Sequence, residues 1–372
     1  MTNAVYISGS GSYLPGKPVP FDDIPKVLGE LDQASSKIQK WILRTHPVMR
    51  ELLDIDYVHY GIDPETRAFT EDNISMAVAA ASKALDAAGL MPEDIDLICY
   101  GSAHQDQMPT ASVRIQEALG IDTCDELSIH ANCTSAYKAL YLGHQLIKSG
   151  QNRNALVLSA NMASSELRAE YYNQALVDKE SLFLRWFLSD GAGALVLSSQ
   201  KRLPQDLRVE TTYIESIGGN RPSLMFNLRP ALWLNPHEEY ELGYHHLRQR
   251  FRNALASSDF QEQDGSIFLK GFQRMMARSS VSLEDIRTFQ INLPTKHIVD
   301  SIKQEFLQLG MDSSIFYSKL DQLGYCGPPM AFICLDKIIR GERFRQGDCI
   351  ASFVTEVSKF MQAGYVLTYD AL

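Results

Sequence analysis

Cys133 is the residue whose local surroundings are best arranged for covalent chemistry. It lies in Leu127-Ser128-Ile129-His130-Ala131-Asn132-Cys133-Thr134-Ser135-Ala136-Tyr137, where a strand-like run ends, the chain turns and an apolar-periodic helix begins. A thiol there sits beside the unpaired N–H groups and the positive end of the helix dipole. That placement favours the thiolate and is expected to lower its pKa. A strand–Cys–helix junction also exposes the sulfur at a sheet edge, as a nucleophile requires. The other reading of the same residues is a small buried hydrophobe packed under the helix start. Cys99, Cys124, Cys326, Cys334 and Cys349 form no CxxC pair and no Cys/His cluster with zinc spacing. Disulfides are not expected in a reducing compartment.

Of the 372 residues, 45% are hydrophobic, enough for one large domain or two ordinary ones with ample core. The formal net charge of −10 argues against nucleic acid, because phosphate binding wants a basic footprint. The N-terminus lacks a basic region followed by an apolar run, so no signal peptide is expected. No apolar stretch approaches the ~18 to 20 residues of a membrane helix. The expected location is cytoplasmic, with no membrane partner.

The elements that must position Cys133 alternate in kind. Strand-like runs at Val5–Gly9, Ile95–Tyr100, Leu127–Ala131, Ala155–Ala160 and Ala192–Ser198 are separated by helical patterns at Asn73–Ala88, Thr110–Leu119 and Thr134–Lys148. Ser10–Gly16 reads as a turn. The pattern recurs, with strands at Val209–Gly218, Phe289–Leu293, Ser314–Tyr317, Ile350–Val354 and Gly364–Tyr369 and helices at Val299–Leu309 and Met330–Arg340. Such alternation predicts a sheet flanked by helices. The recurrence predicts two halves of βαβαβ order, 1–200 carrying the cysteine and 201–372. Phe21–Tyr60 reads as one helical, amphipathic segment. Asn220–Ser280 is mixed; its His237, His245, His246, Arg248, Arg250 and Arg252 read as a solvated helix face, or more sharply as a contact for a phosphate-bearing or acidic partner.

Several motifs, in order and at matching spacing, resemble the β-ketoacyl-acyl-carrier-protein synthase III branch of the thiolase superfamily. They are Gly9–Pro15, Ala87-Ala88-Gly89-Leu90 before Asp94–Ile98, Pro109-Thr110-Ala111, Ile115–Gly120, the cysteine segment and Leu188-Ser189-Asp190-Gly191-Ala192-Gly193-Ala194. The resemblance covers nearly the whole chain. It implies an α/β, five-layered αβαβα fold and a homodimer, or a pseudo-dimer with a related ketosynthase. It also implies an acyl-enzyme formed from an acyl carrier protein or acyl-coenzyme A thioester that arrives through a phosphopantetheine tunnel. The thioester is then a substrate, and no resident cofactor or metal is implied.

The sequence departs from that family at three places. Condensing members pair the cysteine with a histidine and an asparagine that stabilise the enolate left by decarboxylation. Thr295 stands at the histidine position, with His297 two residues on, and Tyr325 stands at the asparagine position. A phenol donates one hydrogen bond but does not reproduce an amide. The glycine-rich loop that helps form the oxyanion hole matches Thr355-Glu356-Val357-Ser358-Lys359. If that alignment holds, Glu356 is a carboxylate near the cysteine, buried enough to act as a base, or else a surface residue. His104, on a loop that faces the tunnel in this family, is a further candidate. His130, three before the cysteine, is another candidate, or else a strand residue that points into the core. The first reading is an acyltransferase passing a Cys133-bound acyl group to an oxygen, nitrogen or carbon nucleophile in fatty-acid-like or specialised, polyketide-type biosynthesis. The second is a carbon–carbon-forming synthase with an atypical base, and the third a non-catalytic subunit of a ketosynthase complex.

Overall fold

A computed structural model describes residues 3–104, 108–229, 235–250, 260–263, 265–341 and 344–370. Arg252, Gln105 and Asp106 lie outside the described residues. Ten strands form one sheet. The first five are β1 (Tyr6–Tyr13), β2 (Leu97–Ser102), β3 (Asp125–His130), β4 (Asn154–Asn161) and β5 (Gly191–Ser198). The second five are β6 (Leu207–Ser216), β7 (Ile286–Ile291), β8 (Phe316–Tyr317), β9 (Cys349–Glu356) and β10 (Met361–Tyr369). The spatial order is β8-β7-β9-β10-β6-β1-β5-β4-β2-β3. Read outward from the centre, both halves run first, fifth, fourth, second, third strand. The antiparallel and parallel pairings repeat as well. The halves meet where Tyr6 and Ile7 of β1 pair with Arg208 and Leu207 of β6. The duplicated βαβαβ order is therefore present in the strand topology.

Helices supply the other layers. On one outer face, α2 (Asn73–Ala88) and α3 (Ala111–Leu119) bury an alanine- and isoleucine-rich face against β2, β4 and β5. On the opposite outer face, α5 (Ile267–Met276) and α6 (Lys296–Gln308) pack Phe268, Phe272 and Phe306 against Phe289 and Phe353. Between the two half-sheets lie α4 (Ser135–Lys148) and α7 (Met330–Gly341), whose apolar residues share one core with strands of both halves. Five layers result, because each half-sheet has two apolar faces to cover and the central helices cover one face of each.

Three expectations change. The first strand continues through the expected turn to Tyr13. Gly9 and Gly11 are there for packing: an added Cβ would lie 2.2 Å from the Ala84 and Ala80 carbonyl oxygens of α2 respectively. Only glycine lets the helix backbone approach this closely. Phe21–Tyr60 is not one helix. It forms a short helix (Ile24–Leu28), then α1 (Ser36–Leu53), which ends at Asp54 in the left-handed region, then a strand pairing Tyr57 with Pro20. The basic stretch is not a solvated face either. Arg248 is buried and donates to the carbonyls of Gly243 and His246, and Arg250 lies 4.5 Å over the Phe226 ring. His245 and His246 are buried, whereas His237 is exposed beside Glu241.

Candidate active site

Strands β2 and β3 pair in parallel, so that Ser102 lies level with His130. The loops leaving them, which carry His104 and Cys133, therefore emerge at the same sheet end. Carboxyl ends of parallel strands are where α/β proteins build their sites. Cys133 occupies the short turn between β3 and α4.

The residue that most alters the chemistry of Cys133 comes from the other half. Glu356, the last residue of β9, is buried. Its Oε2 accepts from the Thr134 N–H at 3.0 Å and from Thr134 Oγ1 at 2.6 Å, and the Ser358 hydroxyl donates to Oε1. A carboxylate thus stands at the N-terminus of α4, where a thiolate was expected to be favoured, and takes the Thr134 N–H and hydroxyl. Burial first, and the Glu356 charge second, push the Cys133 thiol up to about 12, while a hydrogen bond with the Tyr325 phenol acts in the opposite direction. The expected lowering is overturned, because one nearby full charge and desolvation together exceed the partial charge of a helix end.

Tyr325 is held by backbone bonds on both sides. Its N–H donates to the Phe187 carbonyl at 2.8 Å, and its carbonyl accepts from the Ser189 N–H at 3.0 Å. Burial, followed by the Cys133 neighbour, keeps the phenol well above its ordinary pKa, so it serves as a donor and not as an anion. Thr295 is the N-cap of α6, its side chain accepting from the Ile298 N–H at 3.3 Å. That hydroxyl has a structural task and no imidazole-like reach. His297 is exposed on the first turn of α6, at the rim of a cavity, and the structure does not bring it against the sulfur in any described hydrogen bond. His130 is exposed, with Nε2 3.0 Å from the Ala103 carbonyl, and not directed into the core.

Cys133 is half-buried and lines two cavities. One, of about 360 Å³, is apolar, with Phe183, Phe187, Phe268, Leu293 and Val354 in its walls. The other, of about 740 Å³, is larger and mixed, presenting His104, Asn132, Asn161, Glu166 and Tyr325 among apolar side chains such as Met225 and Phe226. His104 Nε2 lies 3.3 Å from Glu166 Oε2. Burial pulls the imidazole pKa down, but the Glu166 carboxylate beside it outweighs that and the net shift is upward. Glu166 answers in the opposite sense: burial raises its pKa, yet the His104 neighbour leaves it below the ordinary carboxylate value. Glu166 and Asn161 are the residues that the sequence did not single out. Glu166 lies in the long aperiodic connection between β4 and β5, where no pattern marks which side chains turn inward.

A cysteine between two half-sheets of identical strand order, at the end of a parallel strand and the start of a central helix, defines the thiolase class of fold. Residues 127–212 match the family model of 3-oxoacyl-[acyl-carrier-protein] synthase III. A beta-ketoacyl-[acyl-carrier-protein] synthase III of Clostridium perfringens strain SM101 is 27% identical over 292 residues, 78% of this chain and 83% of that protein. AbyA1, a tetronic acid condensing enzyme, is similar with a TM-score of 0.78 at 19% identity, over 98% of this chain and 99% of that one. The 3-oxoacyl-[acyl-carrier-protein] synthase III of Aquifex aeolicus is similar with a TM-score of 0.70 at 19% identity, over 98% and 100%. The chain has the thiolase fold and is similar to ketosynthase III-like proteins of that superfamily. Among the described residues, no helix is long and apolar enough to cross a membrane.

Proposed function

We propose that this protein is an acyltransferase in which Cys133 takes an acyl group from a carrier-protein or coenzyme A thioester and passes it to an acceptor nucleophile. The observation that carries the reading is that Cys133 lines both an apolar cavity and a larger, mixed one that holds the polar groups of the site. An acyl chain suits the first, and the polar arm of a thioester or an acceptor suits the second. Thioester exchange breaks the donor C–S bond and forms a new one at Cys133. The thiol proton goes to a base as the sulfur attacks, because a thiol titrating near 12 is not preionised. Glu356 is the carboxylate closest in effect to that proton, while the Tyr325 phenol donates to the sulfur. As partners we propose an acyl carrier protein or acyl-coenzyme A and a second subunit, identical or related, in a cytoplasmic setting.

Decarboxylative condensation is the second reading, favoured by the synthase names of the relatives. It requires an enolate stabilised without the histidine and asparagine, since Thr295 caps a helix and Tyr325 offers a single donor. Intact-protein mass spectrometry after incubation with octanoyl-coenzyme A, followed by malonyl-coenzyme A, separates the readings. The first expects one octanoyl adduct, absent from Cys133→Ala, and no carbon dioxide. Carbon dioxide with a β-keto product favours the second. A wild-type protein that never gains the adduct removes both and leaves the non-catalytic subunit.

A further inference from the structure

The strand topology makes His104 and Thr295 counterparts. Each follows the second strand of its half, β2 or β7, and precedes the helix that covers that strand. In the second half this position holds a hydroxyl spent on capping α6. In the first half it holds an imidazole that lines the same larger cavity as Cys133 and is backed by a carboxylate at 3.3 Å. An imidazole oriented by a carboxylate is a recurrent device for taking a proton from a nucleophile, the carboxylate fixing the ring and stabilising the imidazolium that forms.

The geometry points to His104 as the general base for the acceptor half-reaction, with Glu166 as its positioning residue, supplied from the first half of the fold in place of the group absent at Thr295. This rests on the acyl-enzyme reading of Cys133. In the step, the acceptor X–H loses its proton to His104 as X attacks the thioester carbonyl. The tetrahedral intermediate then breaks its bond to sulfur, and the imidazolium proton returns to the Cys133 thiolate. The net change is an acyl–X bond formed and the free thiol restored, with no redox partner required.

The surroundings support a ring that cycles between neutral and charged forms. Glu166 and Asp190 face it as carboxylates, Asn161 lies beside it in the cavity wall, and Arg229 and His245 act on Glu166. His130 lines the same cavity. Because Glu166 raises the imidazole pKa against the effect of burial, the ascending limb of acceptor transfer should lie above the pH of an ordinary histidine. Removing the carboxylate charge moves that limb to lower pH.

The test uses the full-length protein loaded on Cys133 with octanoyl-coenzyme A, freed of excess donor and followed by mass spectrometry. Water and butan-1-ol serve as acceptors, and hydroxylamine as a nucleophile that needs no base. His104→Ala should load like wild type, react with hydroxylamine like wild type, and release octanoate or butyl octanoate about 10² to 10³-fold more slowly. Added imidazole should restore part of that loss. Glu166→Gln should load normally and shift the ascending limb of release to lower pH. Wild-type release from loaded His104→Ala, an unmoved pH limb in Glu166→Gln, or a loading defect equal to the release defect would each overturn the assignment. A wild-type protein that does not load at Cys133 fails earlier and by a different readout, removing the acyl-enzyme reading itself.

Discussion

The two halves repeat one topology but divide the work at corresponding places. After the third strand, the first half presents Cys133 at the mouth of α4, and the second half presents Tyr325 ahead of α7. The two meet, phenol to sulfur. After the second strand, the first half presents a histidine 3.3 Å from a carboxylate in the larger cavity, and the second half presents a threonine that closes the end of a helix. Glu356, from the fourth strand of the second half, crosses to cap the first half's central helix. The difference teaches that duplication fixes where a side chain can reach, while residue type decides whether that reach is used for chemistry or for holding the frame.

The sharpest way to break this comparison is at the sulfur. Cys133→Ala should abolish the acyl adduct and all transfer that depends on it; an adduct of unchanged mass and yield in the variant would show that another group carries the acyl chain. Next in size is the opposite partner. Tyr325→Phe keeps the ring beside Phe187 and removes the donor, and the rate of acylation measured by quench-flow should fall by about 10²-fold, as when one hydrogen-bond donor is removed from an acyl-transfer site. A change smaller than threefold would mean that the phenol is only packing.

The crossing carboxylate sharpens the comparison more gently. Glu356→Gln retains an acceptor for Thr134 and loses the charge that helps push the thiol up to about 12. The sign is downward: without that charge the thiolate is less disfavoured, although burial, the larger cause, remains. Iodoacetamide should therefore alkylate Cys133 severalfold faster at pH 8, and the midpoint of the rate–pH curve should fall. A slower rate would reverse the electrostatic account. The smallest effect belongs to the counterpart of His104. Thr295→Ala should lower unfolding stability by about 1 kcal/mol, the usual loss of a helix cap, with acylation within twofold of wild type. A large loss of acylation would restore Thr295 to the reacting groups.

Much of the frame was readable because it depends on local periodicity. The helix at Asn73–Ala88 and its stop at Gly89 agree with the structure residue for residue, since alanine spacing, the Asp72 capping box and a glycine in the left-handed region all act within a few residues. The strand that delivers Cys133 and the start of α4 were likewise legible from the switch between apolar patterns. The continuation of β1 through Tyr13 was not, because glycines that serve close helix approach look like turn glycines in a sequence. Arg248 was misread for a similar reason: nothing near it in sequence reveals the carbonyls of Gly243 and His246 that accept its guanidinium in the interior.

By itself the sequence determined the order of strands and helices and the place of the cysteine at a strand–helix junction. These follow from spacing along the chain, which is a one-dimensional property. Only the tertiary structure decided the state of the site. Glu356 lies 222 positions from Thr134, yet it reaches α4 and raises the thiol; Glu166 comes from an aperiodic connection to lie 3.3 Å from His104; and an apolar cavity and a larger mixed one both include Cys133 in their walls. The physical reason is that charge and desolvation act through space over a few ångströms, so the reactivity of Cys133 depends on which distant segments the sheet order brings beside it.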